Sequence, residues 1–427
     1  MVQIDELYNL FLLHPQVTTD SRDCPEGSIF FALKGENFDG NAYANQALEK
    51  GCSYAVIDNP QYADALEKRI VLVDDVLTTL QQLANYHRRQ LGTKIIGVTG
   101  TNGKTTTKEL IATVLSKKYN VLYTQGNFNN HIGVPKTLLR LTRQHDIAVI
   151  EMGANHPGEI KTLVDIVEPD YGIITNVGKA HLLGFGSFEG VVRTKGELYD
   201  FLRAHNGTVF INENNPHLMG IAGDLQLVPY GNNGELIDCS PYLHLSVKGT
   251  DVQTHMIGSY NLDNALAAAC IGQFFEVPDA DICTALSEYT PTNNRSQLVK
   301  TGKNTLIVDA YNANPTSMKA ALDNFHRMNM PNKMIIIGDM KELGEASHEE
   351  HVKILQLVYK YSFPLVWLVG EELRGATTDM PDYSSSFIFF ADVNEVKMAL
   401  DKIGIKDRTI LIKGSNSMKL YTLVEEL

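Results

Sequence analysis

Short apolar runs alternate along this chain with longer stretches in which apolar residues recur at helical spacing. Up to about residue 90, the runs 28–33, 54–58 and 70–73 predict short strands, and 42–50 and 76–90 predict helices. Between about 91 and 295 the strand-like runs are 95–98, 147–151, 172–176 and 208–212. The first is followed by Leu110, Ile111, Val114 and Leu115 at helical spacing. From about 296 the runs 305–308, 334–337, 365–369, 387–390 and 409–412 repeat the alternation. The pattern predicts an α/β protein in which a small first unit precedes two open, largely parallel sheets with helices on their faces. Neither a repeat period of the solenoid kind nor a low-complexity segment is evident.

In open α/β sheets ligands bind beyond the carboxyl ends of the strands, so the polar residues that follow each run carry the information. After 95–98 comes Gly100-Thr-Asn-Gly103, then Lys104-Thr105-Thr106 opening a helix. Glycines let backbone N–H groups close on phosphate oxygens, and the helix N-terminus adds partial positive charge. Lys104 would reach the terminal phosphates, and the Thr105 hydroxyl would face Mg²⁺. The strict phosphate-loop pattern has a further glycine where this chain has Val98, so the match is to a shortened variant.

Glu151 closes the next run and could hold Mg²⁺ directly or through water. Asn176-Val-Gly-Lys-Ala-His181 follows the third run, and Lys195 stands in Gly190-Val-Val-Arg-Thr-Lys-Gly-Glu197. Singly, each residue reads equally as a cap or a hydrogen-bonding group. On successive loops of one sheet beside a phosphate cradle they read as a site. The loop Gly126-Asn-Phe-Asn-Asn-His131 offers the amides of Asn127, Asn129 and Asn130 to a polar ligand, or is a plain turn. Asn261 and Asn264 open an alanine-rich helix, where capping is the simple explanation. Asp309 ends the first strand of the last unit, placed to bond ribose hydroxyls. Thr18-Thr-Asp-Ser-Arg22 has donors suited to an anion, although a turn explains them as well.

Length and charge narrow the classes. At roughly 150 residues per domain, 427 residues predict three domains: 1–90, 91–295 and 296–427. A formal net charge of −13 repels phosphate backbones and argues against nucleic acid as a partner. Five scattered cysteines without a C-x-x-C pair suit a reducing compartment. The apolar patch 10–13 follows Asp5 and Glu6 and is too short for a signal-peptide core. No run approaches a membrane span, so a cytoplasmic protein without membrane insertion is expected.

Over nearly its whole length the chain resembles the Mur ligases of peptidoglycan synthesis. The residues that carry the likeness are Thr99-Gly-Thr-Asn-Gly-Lys-Thr105, Glu151-Met-Gly-Ala-Asn-His-Pro-Gly-Glu-Ile160, Asn176-Val-Gly-Lys-Ala-His181, Lys195-Gly-Glu197, Asn261 to Asn264, Arg295 and Asp309-Ala-Tyr-Asn-Ala-Asn-Pro315. The resemblance implies a UDP-substrate domain, a central P-loop ATPase domain, and a C-terminal Rossmann-like domain that closes on ATP and the incoming amine. Within the family, the motifs look like those of the last amino-acid-adding member. That likeness implies UDP-N-acetylmuramoyl-tripeptide and D-alanyl-D-alanine as substrates and a monomer as the working unit. Residue by residue, Gly100 to Thr106 would bind ATP phosphates, Asn261 and Asn264 adenine, and Arg295 and Asp309 phosphate and ribose. Thr105, Glu151, His181 and Lys195 would serve Mg²⁺, with Lys195 carrying CO₂ as a carbamate. Ser21 and Arg22 would hold the UDP end together with the 34–41 loop. Asn127, Asn129, Asn130, Asn155, Asn312 and Asn314 would contact the rest of the substrates. The rival readings are a folylpolyglutamate-type ligase and a P-loop ATPase with no small-molecule acceptor.

Overall fold

The runs of the sequence become the strands of three sheets in a computed structural model, which describes residues 2–63, 67–292, 295–380 and 386–427. The first sheet is all parallel, in the order Val17–Thr18, Ile29–Phe31, Tyr54–Ile57, Ile70–Leu72. The central sheet has six parallel strands, ordered Gln226–Tyr230, Thr208–Asn212, Tyr171–Ile174, Lys94–Thr99, Ile147–Glu151, Val121–Tyr123. The third also has six strands, and only its edge strand Gln297–Lys300 is antiparallel.

The order of the central sheet positions the site. Later strands are laid down on both sides of Lys94–Thr99, the first strand in the sequence. The chain leaving that strand therefore enters the crevice at the topological switch point, where ligands of such sheets bind. The glycine loop and helix Lys104–Leu115 occupy that crevice.

Strand alternation divides the packing between two layers. Ala148 and Ile150 face one layer, whereas Ile147 and Val149 face the other. The second layer holds helix Lys104–Leu115 and helix Leu262–Phe274, which is buried from Asn264 through Gly272 because alanine dominates all its sides. The first layer does more than cover the central sheet. Leu7, Phe11, Ile29, Phe31 and Leu80 of the first unit share one continuous core with Ile95, Leu138, Ile160 and Leu198. Fully burying one such side chain contributes about 1.5–3 kcal/mol. Arg88 adds a polar tie, donating from Nε to the Val167 carbonyl at 2.9 Å and from its guanidinium to that of Glu168.

Strands Val17–Thr18, Val121–Tyr123, Gln226–Tyr230 and Gln297–Lys300 are not among the expected runs, and two larger features also depart from the sequence expectation. A three-stranded antiparallel sheet, Gly234–Cys239, Tyr242–Val247 and Thr250–Ile257, is added to the expected parallel architecture. The apolar patch at 10–13 belongs to helix Ile4–Leu13, whose buried residues are Leu7 and Phe11, one turn apart. Leu12 and Leu13 point to solvent at 56% and 76% exposure. Among the described residues no helix is long and apolar enough to cross a membrane.

Candidate active site

The phosphate loop is braced from the neighbouring strand's exit. Asn102 N–H donates to Asn176 Oδ1 at 3.0 Å, and Asn176 Nδ2 returns a bond to the Asn102 carbonyl at 3.0 Å. Thr175 Oγ1 donates to that carbonyl at 2.6 Å, and Gly178 N–H donates to Thr101 Oγ1 at 3.0 Å. Asn176 is thus a loop brace, a role its place in the 176–181 motif did not reveal. Gly103 has φ +77, and a Cβ there would meet Asn264 Oδ1 at 2.6 Å. Gly103→Ala is therefore expected to weaken ADP binding at least ten-fold by titration calorimetry, because a left-handed turn and a close approach both fail.

Lys104 Nζ donates to the carbonyls of Gly100 at 2.7 Å and Thr101 at 3.0 Å. Desolvation on the cavity floor pulls its pKa down to about 8, with Arg295 adding repulsion and Glu151 opposing. The folded-state value lies below the ordinary 10.5. Lys104 therefore opposes folding fully below pH 8, and that penalty fades as pH rises to the unfolded value. Phosphate oxygens favour the charged form, so nucleotide binding in this window should take up as much as one proton. Calorimetry in two buffers of different ionisation enthalpy measures it.

Beside the loop, Thr105 Oγ1 donates to Glu151 Oε1 at 3.3 Å, and Asn129 Nδ2 donates to the same oxygen at 2.9 Å. Glu151 N–H is fixed by Thr124 Oγ1 at 2.9 Å. The other carboxylate oxygen, Oε2, is buried without a hydrogen-bond partner among the described residues. Lys195, on helix Phe188–Ala204, is 2% exposed and reaches the Ala154 carbonyl at 3.3 Å, with its Nζ 5.4 Å from the centroid of the Phe185 ring. It forms no ion pair among the described residues. Desolvation, and then repulsion from Lys104, hold its pKa well below the usual lysine value. His181 is also depressed, by desolvation first, with Glu342 opposing and Lys104 and Lys195 adding repulsion.

Opposite the loop, the end of strand Thr305–Asp309 is strongly tied. Asp309 accepts from Ser296 N–H at 3.2 Å and from Lys413 Nζ at 2.6 Å. Arg295 lies 3.7 Å over the Tyr311 ring, a stack that orients the guanidinium. Lys413 was missed in the sequence, although it ends strand Thr409–Lys413 and the rule of polar residues at strand ends applies to it as well. Asn261 and Asn264 turn out not to cap their helix. Asn261 Nδ2 donates to the Ile257 carbonyl at 2.8 Å, Asn264 Nδ2 to Asn261 Oδ1 at 2.8 Å, and Thr107 Oγ1 to Asn264 Oδ1 at 3.0 Å. The two amides form a buried chain that ends on the phosphate-loop helix.

A cavity of about 960 Å³ extends from Gln81 on helix Val76–Leu91 to Lys413 and brings together Lys104, Glu151 and His181, whereas Thr105 and Lys195 are buried and do not line it. Asn127, Asn129, Asn130, Asn155, Asn312 and Asn314 all line it, as do Arg295 and Asp309. Asn314 is already engaged: it caps helix Pro315–Arg327 and donates to Asn102 Oδ1 at 2.8 Å, linking the last unit to the phosphate loop. Asn130 accepts from the N–H groups of Ile132 and Gly133. Ser21 and Arg22 do not line the cavity. The Ser21 carbonyl accepts from Lys50 Nζ at 2.7 Å, and the exposed Arg22 is forked onto Asp20.

Three family models match in chain order: the Mur ligase family catalytic domain over 15–88, the Mur ligase middle domain over 98–272, and the Mur ligase glutamate ligase domain over 294–416. The UDP-N-acetylmuramoyl-tripeptide--D-alanyl-D-alanine ligase of Bacillus subtilis is 35% identical over 426 residues, covering 96% of this chain and 92% of that protein. This chain belongs to the Mur ligase family. Among solved structures, MurF from Acinetobacter baumannii aligns with TM-score 0.85 and 31% identity, covering 96% of this chain and 93% of that one. MurF from Thermotoga maritima in complex with ADP aligns with TM-score 0.84 and 26% identity, covering 97% of each chain. The three-domain α/β architecture expected from the sequence is that of these Mur ligases.

Proposed function

We infer that this chain is an ATP-dependent ligase that adds D-alanyl-D-alanine to UDP-N-acetylmuramoyl-tripeptide in peptidoglycan precursor synthesis. The observation that carries the reading is one cavity lined by a braced phosphate loop, its Lys104 and Glu151, one of whose carboxylate oxygens is buried without a hydrogen-bond partner among the described residues. Full-length similarity to ligases of this name supports the choice of substrates.

The reaction joins an unreactive carboxylate to an amine. Transfer of the γ-phosphoryl group from ATP to the tripeptide's terminal carboxylate yields an acyl phosphate and ADP. The dipeptide amine then attacks the carbonyl, and inorganic phosphate departs. Lys104, the loop N–H groups and Arg295 neutralise charge on the phosphoryl oxygens, so the first step depends on positioning and electrostatics. Enclosing the acyl phosphate between the central and C-terminal units keeps water from it.

The donors present fit Mg²⁺: a hydroxyl at Thr105 and a free oxygen at Glu151 are hard oxygen ligands, and His181 lines the same cavity. When bound, Mg²⁺ supplies charge neutralisation between the phosphates. Lys195 fits a carbamate, since a neutral amine is the form that adds CO₂ and burial favours it. In this reading residues 1–90 hold the UDP end, 91–295 hold ATP, and 296–427 close on ATP and the dipeptide. The enzyme works as a cytoplasmic monomer.

Measuring ADP release with UDP-N-acetylmuramoyl-tripeptide, with and without D-alanyl-D-alanine, tests the reading. Release that requires both substrates is expected. Release indifferent to both would leave a plain ATPase, and release driven by a folate and glutamate would favour the other ligase class.

A further inference from the structure

We propose that Glu342 is a positioning residue for His181, reaching across from the C-terminal unit to set which ring nitrogen of that histidine faces the cavity. Glu342 Oε2 lies 2.5 Å from His181 Nδ1, a short charge contact that is off-axis for a hydrogen bond. The Glu342 carbonyl accepts from Leu183 N–H at 3.2 Å, so one residue grips the same turn by backbone and side chain. His181 lines the cavity and Glu342 does not, so the path from Glu342 to the cavity runs through the turn that carries the imidazole.

The backbone marks both positions as special. Glu342 has φ +67 and His181 has φ +49, left-handed conformations that non-glycine residues adopt only where their surroundings enforce them. The surroundings here are rigid. Met340 N–H donates to His351 Nε2 at 3.0 Å, and Lys341 N–H donates to Ser415 Oγ at 2.9 Å. Asp339 is 1% exposed and accepts from Leu373 N–H at 3.0 Å. Glu342 therefore projects from a fixed platform. A second cross-domain bond stands nearby without touching the imidazole: Lys179 Nζ reaches the buried Glu350 at 2.9 Å.

A carboxylate beside Nδ1 places the ring proton on that nitrogen and leaves the Nε2 lone pair for a ligand. Carboxylates that hold a metal-binding histidine in this way typically change metal affinity or activity about 10–100-fold when removed. Because Glu342 and His181 belong to different units, the correct tautomer and ring orientation would be completed only when the C-terminal unit is seated. This inference rests on the reading above in which His181 serves the divalent cation.

The test uses Mn²⁺ as the probe, its binding to the ADP-loaded protein followed by electron paramagnetic resonance. Glu342→Ala is expected to weaken Mn²⁺ binding about ten-fold and to raise the Mg²⁺ concentration for half-maximal ligation by a similar factor. Glu342→Gln, which keeps an oxygen beside Nδ1 without the charge, should recover most of both. Lys179→Ala should leave Mn²⁺ affinity unchanged. Thermal melts establish that each variant is folded. If His181→Ala weakens Mn²⁺ and Glu342→Ala does not, the proposal fails while the cation site stands. If His181→Ala also binds as wild type, the assignment of His181 to the cation fails first. Equal losses in Glu342→Ala and Lys179→Ala would make Glu342 an ordinary docking contact and overturn the proposal.

Discussion

Lys104→Ala is expected to lower ligation about 10³-fold while the protein stays folded, the scale for removing one cation from a phosphoryl-transfer site. That factor corresponds to about 4 kcal/mol of transition-state stabilisation. The fold should survive because, among the described residues, Nζ bonds only to carbonyls of its own loop, and the loop keeps its braces from Thr175, Asn176 and Gly178. Removing a desolvated ammonium also relieves a penalty. Steady-state rates with both substrates, set beside a thermal melt, check the two halves of this expectation. A Lys104→Ala protein that ligates within ten-fold of wild type would remove Lys104 from the chemistry.

Lys195→Met is expected to lower ligation by about 10²-fold or more, the range for losing a metal-site ligand or its support. Its effect on stability should run the other way. The folded-state pKa of Lys195 lies well below the unfolded value, so the lysine destabilises the fold at neutral pH and less as pH climbs toward the unfolded pKa. Methionine keeps most of the side-chain volume against Phe185 and removes the amine. The melting temperature of Lys195→Met relative to wild type should therefore be raised at neutral pH, fall as pH climbs, and converge with it in strong alkali. A variant less stable at neutral pH than at high pH, by comparison with wild type, would show that burial does not depress the Lys195 amine.

The parallel sheets and the switch-point loop were legible because buried parallel strands are continuous apolar runs, and Ile95 to Val98 or Ile335 to Ile337 have no other reading. The antiparallel strands were not. Gly234–Cys239 is exposed or half-buried throughout, and Thr250–Ile257 buries only alternate residues until its end, so neither forms a run. Helix Ile4–Leu13 was masked in the same way, since the conspicuous leucines are the exposed ones. In the candidate site, local motifs pointed to Lys104, Glu151 and His181, which line one cavity, and to Lys195, whose amine is buried against the Ala154 carbonyl. Partners distant in sequence stayed hidden. Lys413 stands 104 positions from Asp309, and nothing in the 339–344 stretch announces that Glu342 meets His181. Asn314, expected as a substrate contact, lines the cavity and also donates its amide to Asn102, a bond its motif did not announce.

The continuous core under the first and central sheets has a thermodynamic consequence. Leu80 and Ile95 belong to one packed body although they lie in different units, whereas among the described residues the two C-terminal clusters draw on the central unit only through Ile257 and Tyr242. Three structural units should therefore behave as two cooperative melting bodies, 1–295 and 296–427. On the proposed function, a nucleotide bridges Lys104 on one body and Asp309 on the other and binds only when both are folded. It should draw their separate transitions together into one.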